Sequence, residues 1–157
     1  LFQGTAVKSS AGYIITAQAA ITNTCIGVFN GIFYNAATTL KPTWANWYNQ
    51  PITPANSEDI TCFVIDNPTQ LFVVSLDTAA AQAIYGMTMG LTVTAAGSET
   101  SGQSSSTLTY ATRHATNNQW RLVRTAEDPE NNQNATFRSV VVAHNLNQYF
   151  TGAVTWA

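Results

Sequence analysis

Residues 60–76, ITCFVIDNPTQLFVVSL, constrain the fold of this chain more than any other stretch. Residues 62–65 and 71–74 are two apolar runs of strand length, rich in the Val, Ile and Phe that fit a pleated sheet. Between them lies the predicted turn Asp66-Asn67-Pro68, where proline fixes its own backbone angle and the Asp66 carboxylate can bond open amides. Both runs are apolar almost continuously, which is typical of strands covered on both faces. We therefore predict a β-hairpin at the centre of the core.

Short strands separated by turn residues are predicted along the rest of the chain. They cover residues 12–21, 25–34, 85–95, 108–112, 119–125 and 137–144. Within the second of these, Asn30-Gly31 indicates a hairpin turn, and a single bulged strand is the alternative. One helical turn is predicted over residues 78–84, because the stretch is rich in Ala and Asp77 or Thr78 can cap it.

Strands spaced about ten residues apart, with turns between them, predict an all-β fold. The chain has 157 residues, which is enough for one domain with its own core. We expect a single-domain β-barrel or barrel-like sandwich with extended terminal arms. Residues 1–24 form the predicted N-terminal arm or edge strand, residues 25–149 the β core domain, and residues 150–157 a C-terminal docking tail.

The chain carries unusually little charge. Charged residues make up only 9% of it, against about a quarter in typical domains, and the net charge is −2. This balance gives no electrostatic footprint for nucleic acid or for an anionic membrane. No apolar run approaches the roughly 20 residues that span a bilayer, so we predict neither partner. A neutral surface rich in Thr, Asn and Gln suits a subunit that is largely covered by other subunits, or an extracellular particle.

Residues that could carry catalysis or hold a metal are few and scattered. Cys25 and Cys62 lie in apolar runs, where we expect buried thiols, and a disulfide between them is the alternative. These two cysteines and the distant histidines His114 and His144 lack the ligand spacing of a metal site. His144 ends an apolar strand and is expected to be structural, and no nucleophile motif supports either histidine. We predict that the protein is not an enzyme and binds no cofactor or metal.

Two groups of apolar residues are candidates for contact with a partner. Trp44, Trp47 and Tyr48 occur in a predicted loop, where they either cap the barrel end or anchor an interface. The C-terminal tail is apolar to its last residues, and such a segment must dock onto its own sheet or a neighbour's edge. The candidate interface residues of the tail are Tyr149, Phe150, Val154 and Trp156.

Three segments, in this order, carry a resemblance to a known family. They are residues 27–31 (GVFNG) followed by Tyr34, residues 62–72 (CFVIDNPTQLF) and residues 97–104 (GSETSGQS). Residues 120–123 and 140–149 fall where that family has its closing strands. On these segments the chain resembles the capsid cement, or decoration, proteins that stabilise the heads of tailed bacteriophages.

The resemblance implies a non-enzymatic virion protein on the outside of an icosahedral head. Its expected partners are the major capsid protein and other copies of itself, as a dimer or trimer. Many weak contacts of this kind act together through avidity. The alternative is a head fibre, tail or adhesion β module that binds host glycans through Trp44, Trp47 and Tyr48.

Overall fold

The computed structural model describes residues 1–17, 24–49, 51–92, 97–132 and 134–149. Antiparallel strands dominate this part of the chain, which confirms the predicted all-β fold. The strands are β1 (Ala6–Ser10), β2 (Tyr13–Thr16), β3 (Gly27–Asn35), β4 (Pro42–Ala45), β5 (Thr61–Ile65), β6 (Leu71–Ser75), β7 (Thr88–Leu91), β8 (Leu108–His114), β9 (Trp120–Thr125) and β10 (Ser139–His144). Two single turns of 3₁₀ helix, Ala55–Ser57 and Gln82–Ile84, lie between strands.

The first sheet is built around β3. β1 and β4 pair with one edge of β3, β5 pairs with its other edge, and β2 pairs with β1. β3 is one continuous strand with an irregularity between Phe29 and Gly31, where it pairs with β5. The bulged-strand alternative for this segment is therefore right, and the hairpin turn at Asn30-Gly31 is wrong. The β-branched and aromatic residues on both sides of the bulge favour extended backbone.

The second sheet has the order β6-β10-β9-β7-β8. The valine-rich strand β10 pairs with β6 on one side and β9 on the other, and its residues from Val140 to His144 are all buried. Leu76, just after β6, forms an isolated bridge with Leu108 at the start of β8. The described residues therefore form two sheets in a sandwich-like domain, and they do not form a closed barrel.

The main core lies between the two sheets, and a smaller core lies on the other face of the first sheet. The main core contains Leu76, Met89, Trp120, Leu122, Val140 and Val142 from the second sheet side, with Ala6 and Cys25 from the first. The smaller core contains Val7, Ile26, Phe29 and Ile32, against which Tyr48, Ile52 and Ile60 pack. The first sheet is thus covered in part on each of its faces.

The predicted central hairpin is wrong, although both of its runs are strands. β5 pairs with β3 in the first sheet, whereas β6 pairs with β10 in the second, so the turn between them crosses from one sheet to the other. Burial alternates along both strands instead of being continuous. In the turn it is Asn67, not Asp66, whose side chain accepts bonds, from the Thr69 amide at 3.0 Å and the Thr69 hydroxyl at 2.8 Å.

The described part of the N-terminal segment contributes β1 and β2 to the first sheet, with β2 at the edge of that sheet. β1 lies between β2 and β3, and its Val7 is fully buried. The predicted helical turn is reduced to Gln82–Ile84, and the Asp77 carboxylate accepts the Tyr110 amide instead of capping it. The predicted strand over residues 12–21 is described only to residue 17, where β2 has ended.

Hydrogen bonds attach the serine- and glycine-rich segment 97–106 to residues beside the first sheet. Its Gly102 carbonyl accepts the Gln3 amide at 2.9 Å, and its Ser104 amide donates to the Gln3 carbonyl at 2.8 Å. The side-chain amide of Asn46 donates to the Ser101 carbonyl at 2.8 Å. These bonds hold the segment beside the residues that follow β4.

Candidate interaction surface

Four large apolar side chains on one face of the first sheet remain exposed to solvent. Phe33 is 39% exposed, Trp44 49%, Phe63 44% and Ile65 39%. We call these four residues the aromatic surface. Single exposed apolar residues are common on protein surfaces, whereas four neighbours on one face of a sheet are a candidate contact region.

Strand register places the four side chains together. Phe33 of β3 lies opposite Trp44 of β4, and Gly31, two residues before it, lies opposite Phe63 of β5. Phe63 and Ile65 are two residues apart on β5 and therefore share a face. The rings of Trp44 and Phe63 meet with their centroids 5.1 Å apart and their planes tilted by 57°.

Gly31 makes this contact across β3 possible. A β-carbon at this position would lie 2.5 Å from Cζ2 of Trp44 and 2.8 Å from the carbonyl oxygen of Ala45. The indole therefore lies directly over the backbone of β3 and reaches Phe63 on the far strand. A side chain at Gly31 would separate the two rings.

The aromatic surface begins where the second sheet stops covering the first. Further along the same face, Ala6 and Val28 lie opposite each other, and both pack into the main core. Val28 also lies opposite Ile65, which is the residue of the aromatic surface nearest to the main core along β5. The apolar face is therefore continuous, and its outer end has no cover among the described residues.

The three aromatic residues predicted to act together are divided by the structure. Trp44 lies on strand β4 and not in the predicted loop, and it belongs to the aromatic surface. Trp47 is partly buried and stacks on Phe2 with ring centroids 6.1 Å apart. Tyr48 packs against the smaller core, and its backbone exchanges hydrogen bonds with Leu1. Tyr48 also lines a groove of about 720 Å³ between the β1–β2 hairpin and residues 54–60. Of the three, Trp44 has the exposure of an interface anchor.

The predicted tail residues fall mostly outside the described part of the chain. Tyr149 is 60% exposed and follows Gln148, whose side chain exchanges hydrogen bonds with the backbone of Ser9. Phe150, Val154 and Trp156 lie outside the described residues. Their predicted role in docking stays a prediction.

The two cysteines are free thiols, so the disulfide alternative is wrong. Cys25 is buried, and its sulfur lies 3.5 Å from Nδ1 of His144, which is also fully buried. Burial raises the pKa of the Cys25 thiol to about 12 and lowers the pKa of His144 to about 4. At neutral pH both groups are uncharged, so this pair lacks the thiolate that a nucleophilic cysteine requires.

Within the described ranges, no three His, Cys, Asp or Glu side chains come close enough together to hold a metal ion. Glu58, near the smaller core, accepts a hydrogen bond from the Asn35 side chain at 2.8 Å. Among the helices of the described segments, none is long and apolar enough to cross a membrane.

Sequence reasoning did not find Phe33, Phe63 or Ile65 as surface residues. All three lie in apolar runs that favour buried strands, and nothing in such a run marks the end left uncovered. The strand register alone brings them beside Trp44. Comparison with known proteins adds no further residue: no family model, no characterised protein and no solved structure matches the chain.

Proposed function

We propose that this protein is a virion structural protein that binds the outside of the major capsid protein lattice and stabilises the icosahedral head. The observation that carries the proposal is the aromatic surface, because exposed Trp and Phe on a rigid sheet are typical anchors of protein interfaces. The sequence resemblance to cement proteins supplies the identity of the partner. The role is non-enzymatic and requires no cofactor.

The rest of the domain suits this role. A β-sandwich with few charged residues offers apolar faces and strand edges to neighbours, with little charge to desolvate. Many copies on a regular lattice multiply modest individual contacts through avidity. Each site therefore needs only a small anchor of the size of the aromatic surface.

The proposal is tested by adding purified protein to heads of the encoding phage that lack it, and measuring the bound fraction by co-sedimentation. Trp44→Ala and Phe63→Ala should each weaken binding about tenfold or more, because truncating a central aromatic anchor removes a hot spot. Leu40→Ala is the matched control, since Leu40 is 71% exposed but lies outside the aromatic surface. Equal binding of all three variants and the unchanged protein would contradict the proposal.

A glycan-binding module is the second candidate, and the exposed indole of Trp44 is the observation in its favour. Sugar rings stack on such faces in many binding sites, but polar side chains must then fix the hydroxyls. A glycan array with the isolated domain separates the two functions. Specific glycan binding that is lost in Trp44→Ala, without binding to heads, would replace the capsid proposal.

A further inference from the structure

The outer face of the second sheet carries an arginine among apolar side chains. Val142 of β10 packs into the main core, so the next residue, Ala143, lies on the outer face. Leu71 of β6 and Arg121 of β9 lie directly opposite Ala143, one on each side of it. Because directly opposed residues of a sheet share a face, these three residues form one row across three strands.

This row lines a groove of about 340 Å³. The groove forms where the small side chain of Ala143 lies between the longer side chains of Leu71 and Arg121. Apart from Arg121, the lining is apolar and consists of Leu71, Gly86, Leu122, Val123 and Ala143. Leu71 is 45% exposed and Val123 is 41% exposed. The groove therefore presents one cationic side chain within an apolar surface that is open to solvent.

The guanidinium of Arg121 has no carboxylate partner among the described residues. These residues include all 8 acidic residues of the chain, and none of them forms an ion pair with Arg121. Arg124, three residues further along β9, is paired with Glu127 at 3.0 Å. Nη2 of Arg121 donates to the Asn145 side chain at 3.1 Å, whereas its Nε–H is buried and has no acceptor in the described part of the chain. Arg121 is therefore held in place while its charge and part of its hydrogen-bonding capacity stay unused.

We propose that this groove binds an acidic side chain of a partner protein, with apolar residues on either side of that acid. A carboxylate and a guanidinium form short, charge-assisted hydrogen bonds, which would use the free donors of Arg121. The apolar residues of the partner would cover Leu71 and Val123. A basic segment is excluded by like charge, and a neutral segment would leave the guanidinium desolvated and unpaired.

The inference deepens the proposed function, on which the identity of the partner as a subunit of the shell rests. The groove belongs to the second sheet, whereas the aromatic surface belongs to the first. The protein would thus have two separate contacts, one apolar and one charged. Two contacts on different sheets suit a protein that joins adjacent subunits, because each adds to the avidity of the other.

Two capped peptides test the groove directly: acetyl-Leu-Ser-Glu-Ser-Leu-amide, and the same peptide with Gln in place of Glu. In an extended peptide the acid and both leucines lie on one face. In ¹⁵N NMR of the labelled protein, the Nε–H signal of Arg121, identified by its loss in Arg121→Lys, should shift with the Glu peptide and not with the Gln peptide. Equal responses, or no response, would overturn the proposal. A change of this signal on deleting residues 150–157, without a response to either peptide, would assign the groove to the C-terminal segment instead.

A carboxylate placed inside the groove is the second test. Leu71 lies two strands away from Arg121, at about 10 Å, which a glutamate and an arginine side chain can span together. Leu71→Glu should therefore pair with Arg121 and remove the response to the Glu peptide, whereas Leu71→Gln should keep that response. Equal behaviour of the two variants would contradict the role assigned to the charge.

Binding to heads separates the groove from the proposed function. Arg121→Gln should weaken binding in the co-sedimentation assay about tenfold or more and should reduce its dependence on salt, because one ion pair is lost. Leu71→Glu, which keeps Arg121, should do the same and serves in case Arg121→Gln disturbs folding. Arg113→Gln is the matched control, since Arg113 is exposed on β8 and lies over the Tyr110 ring, outside the groove.

The outcomes of the two assays are distinct. Equal binding of Arg121→Gln and Arg113→Gln to heads, with weakened binding of Trp44→Ala, would overturn the groove as a shell contact and leave the proposed function standing. A response of Arg121 to the Glu peptide, without binding of the unchanged protein to heads, would support the groove and overturn the proposed function.

Discussion

Acidification should destabilise the fold through one buried histidine. His144 is fully buried against Trp120, with ring centroids 4.4 Å apart, and burial lowers its pKa from 6.5 to about 4. Between these two values the unfolded chain binds a proton that the folded chain excludes, so stability is lost as pH falls. The Cys25 thiol, whose sulfur lies 3.5 Å from Nδ1 of the ring, stays neutral because burial raises its pKa to about 12.

The size of the effect follows from the difference between the folded and unfolded pKa. Going from about pH 8 to about pH 5 should remove about 2 kcal/mol of unfolding free energy, and the full difference is about 3 kcal/mol below pH 4. Urea unfolding followed by tryptophan fluorescence measures the free energy at each pH. Replacing His144 by Phe keeps an aromatic ring beside Trp120 and removes the titration.

The comparison between variants isolates this residue from the carboxylates that also titrate. His144→Phe should lose about 2 kcal/mol less than the unchanged protein over the same pH interval. An identical pH dependence in His144→Phe and the unchanged protein would refute the reasoning.

Three further outcomes follow from the geometry. In the folded protein a small alkylating reagent should modify the partly exposed Cys62 much faster than the buried Cys25. Unfolding should make the two alkylation rates similar, and mass spectrometry of quenched samples measures both rates. Asn67→Ala should lower the unfolding free energy by about 1 kcal/mol, because two hydrogen bonds are lost, whereas Asp66→Ala should change it less in the same urea titration. Gly31→Ala should displace the Trp44 indole and therefore weaken binding to heads as strongly as Trp44→Ala does. Co-sedimentation with heads measures both variants.

Local sequence patterns located most of the strands but not their partners. The apolar runs that became β5 and β6 were recognised because Val, Ile and Phe favour extended backbone. Their pairing depends on β3 and β10, which are distant in sequence, and no local signal reports that choice. The short connection between the two runs favours a hairpin, yet it crosses between sheets.

The burial of strand side chains differs from the prediction for a related physical reason. A continuous apolar run is expected to be covered on both faces, but Phe63 and Val73 are exposed while their neighbours are partly buried. Conversely, Asn118 and Asn145 are buried, where composition alone would place them on the surface. The Asn145 side chain donates to the Asn118 carbonyl at 2.7 Å, so it ties two loops together. Such bonds satisfy buried amides and cannot be read from a single sequence.

The sequence predicts one of the four residues of the aromatic surface. Trp44 was singled out because tryptophan between polar residues in an apparent loop suggests a contact anchor. Its partners Phe33 and Phe63 were not, because each belongs to an apolar strand whose exposed end depends on where the second sheet stops. The apolar residues left exposed on both sheets are the observation on which the proposed contact with other subunits rests.

The copy number of the protein in purified virions tests the central claim most directly. Quantitative mass spectrometry of intact heads gives its ratio to the major capsid protein. A lattice-binding cement protein should be present at a copy number of the same order as that of the shell protein, and should remain with tailless heads. Absence from heads, or a few copies that separate with the tails, would contradict the account.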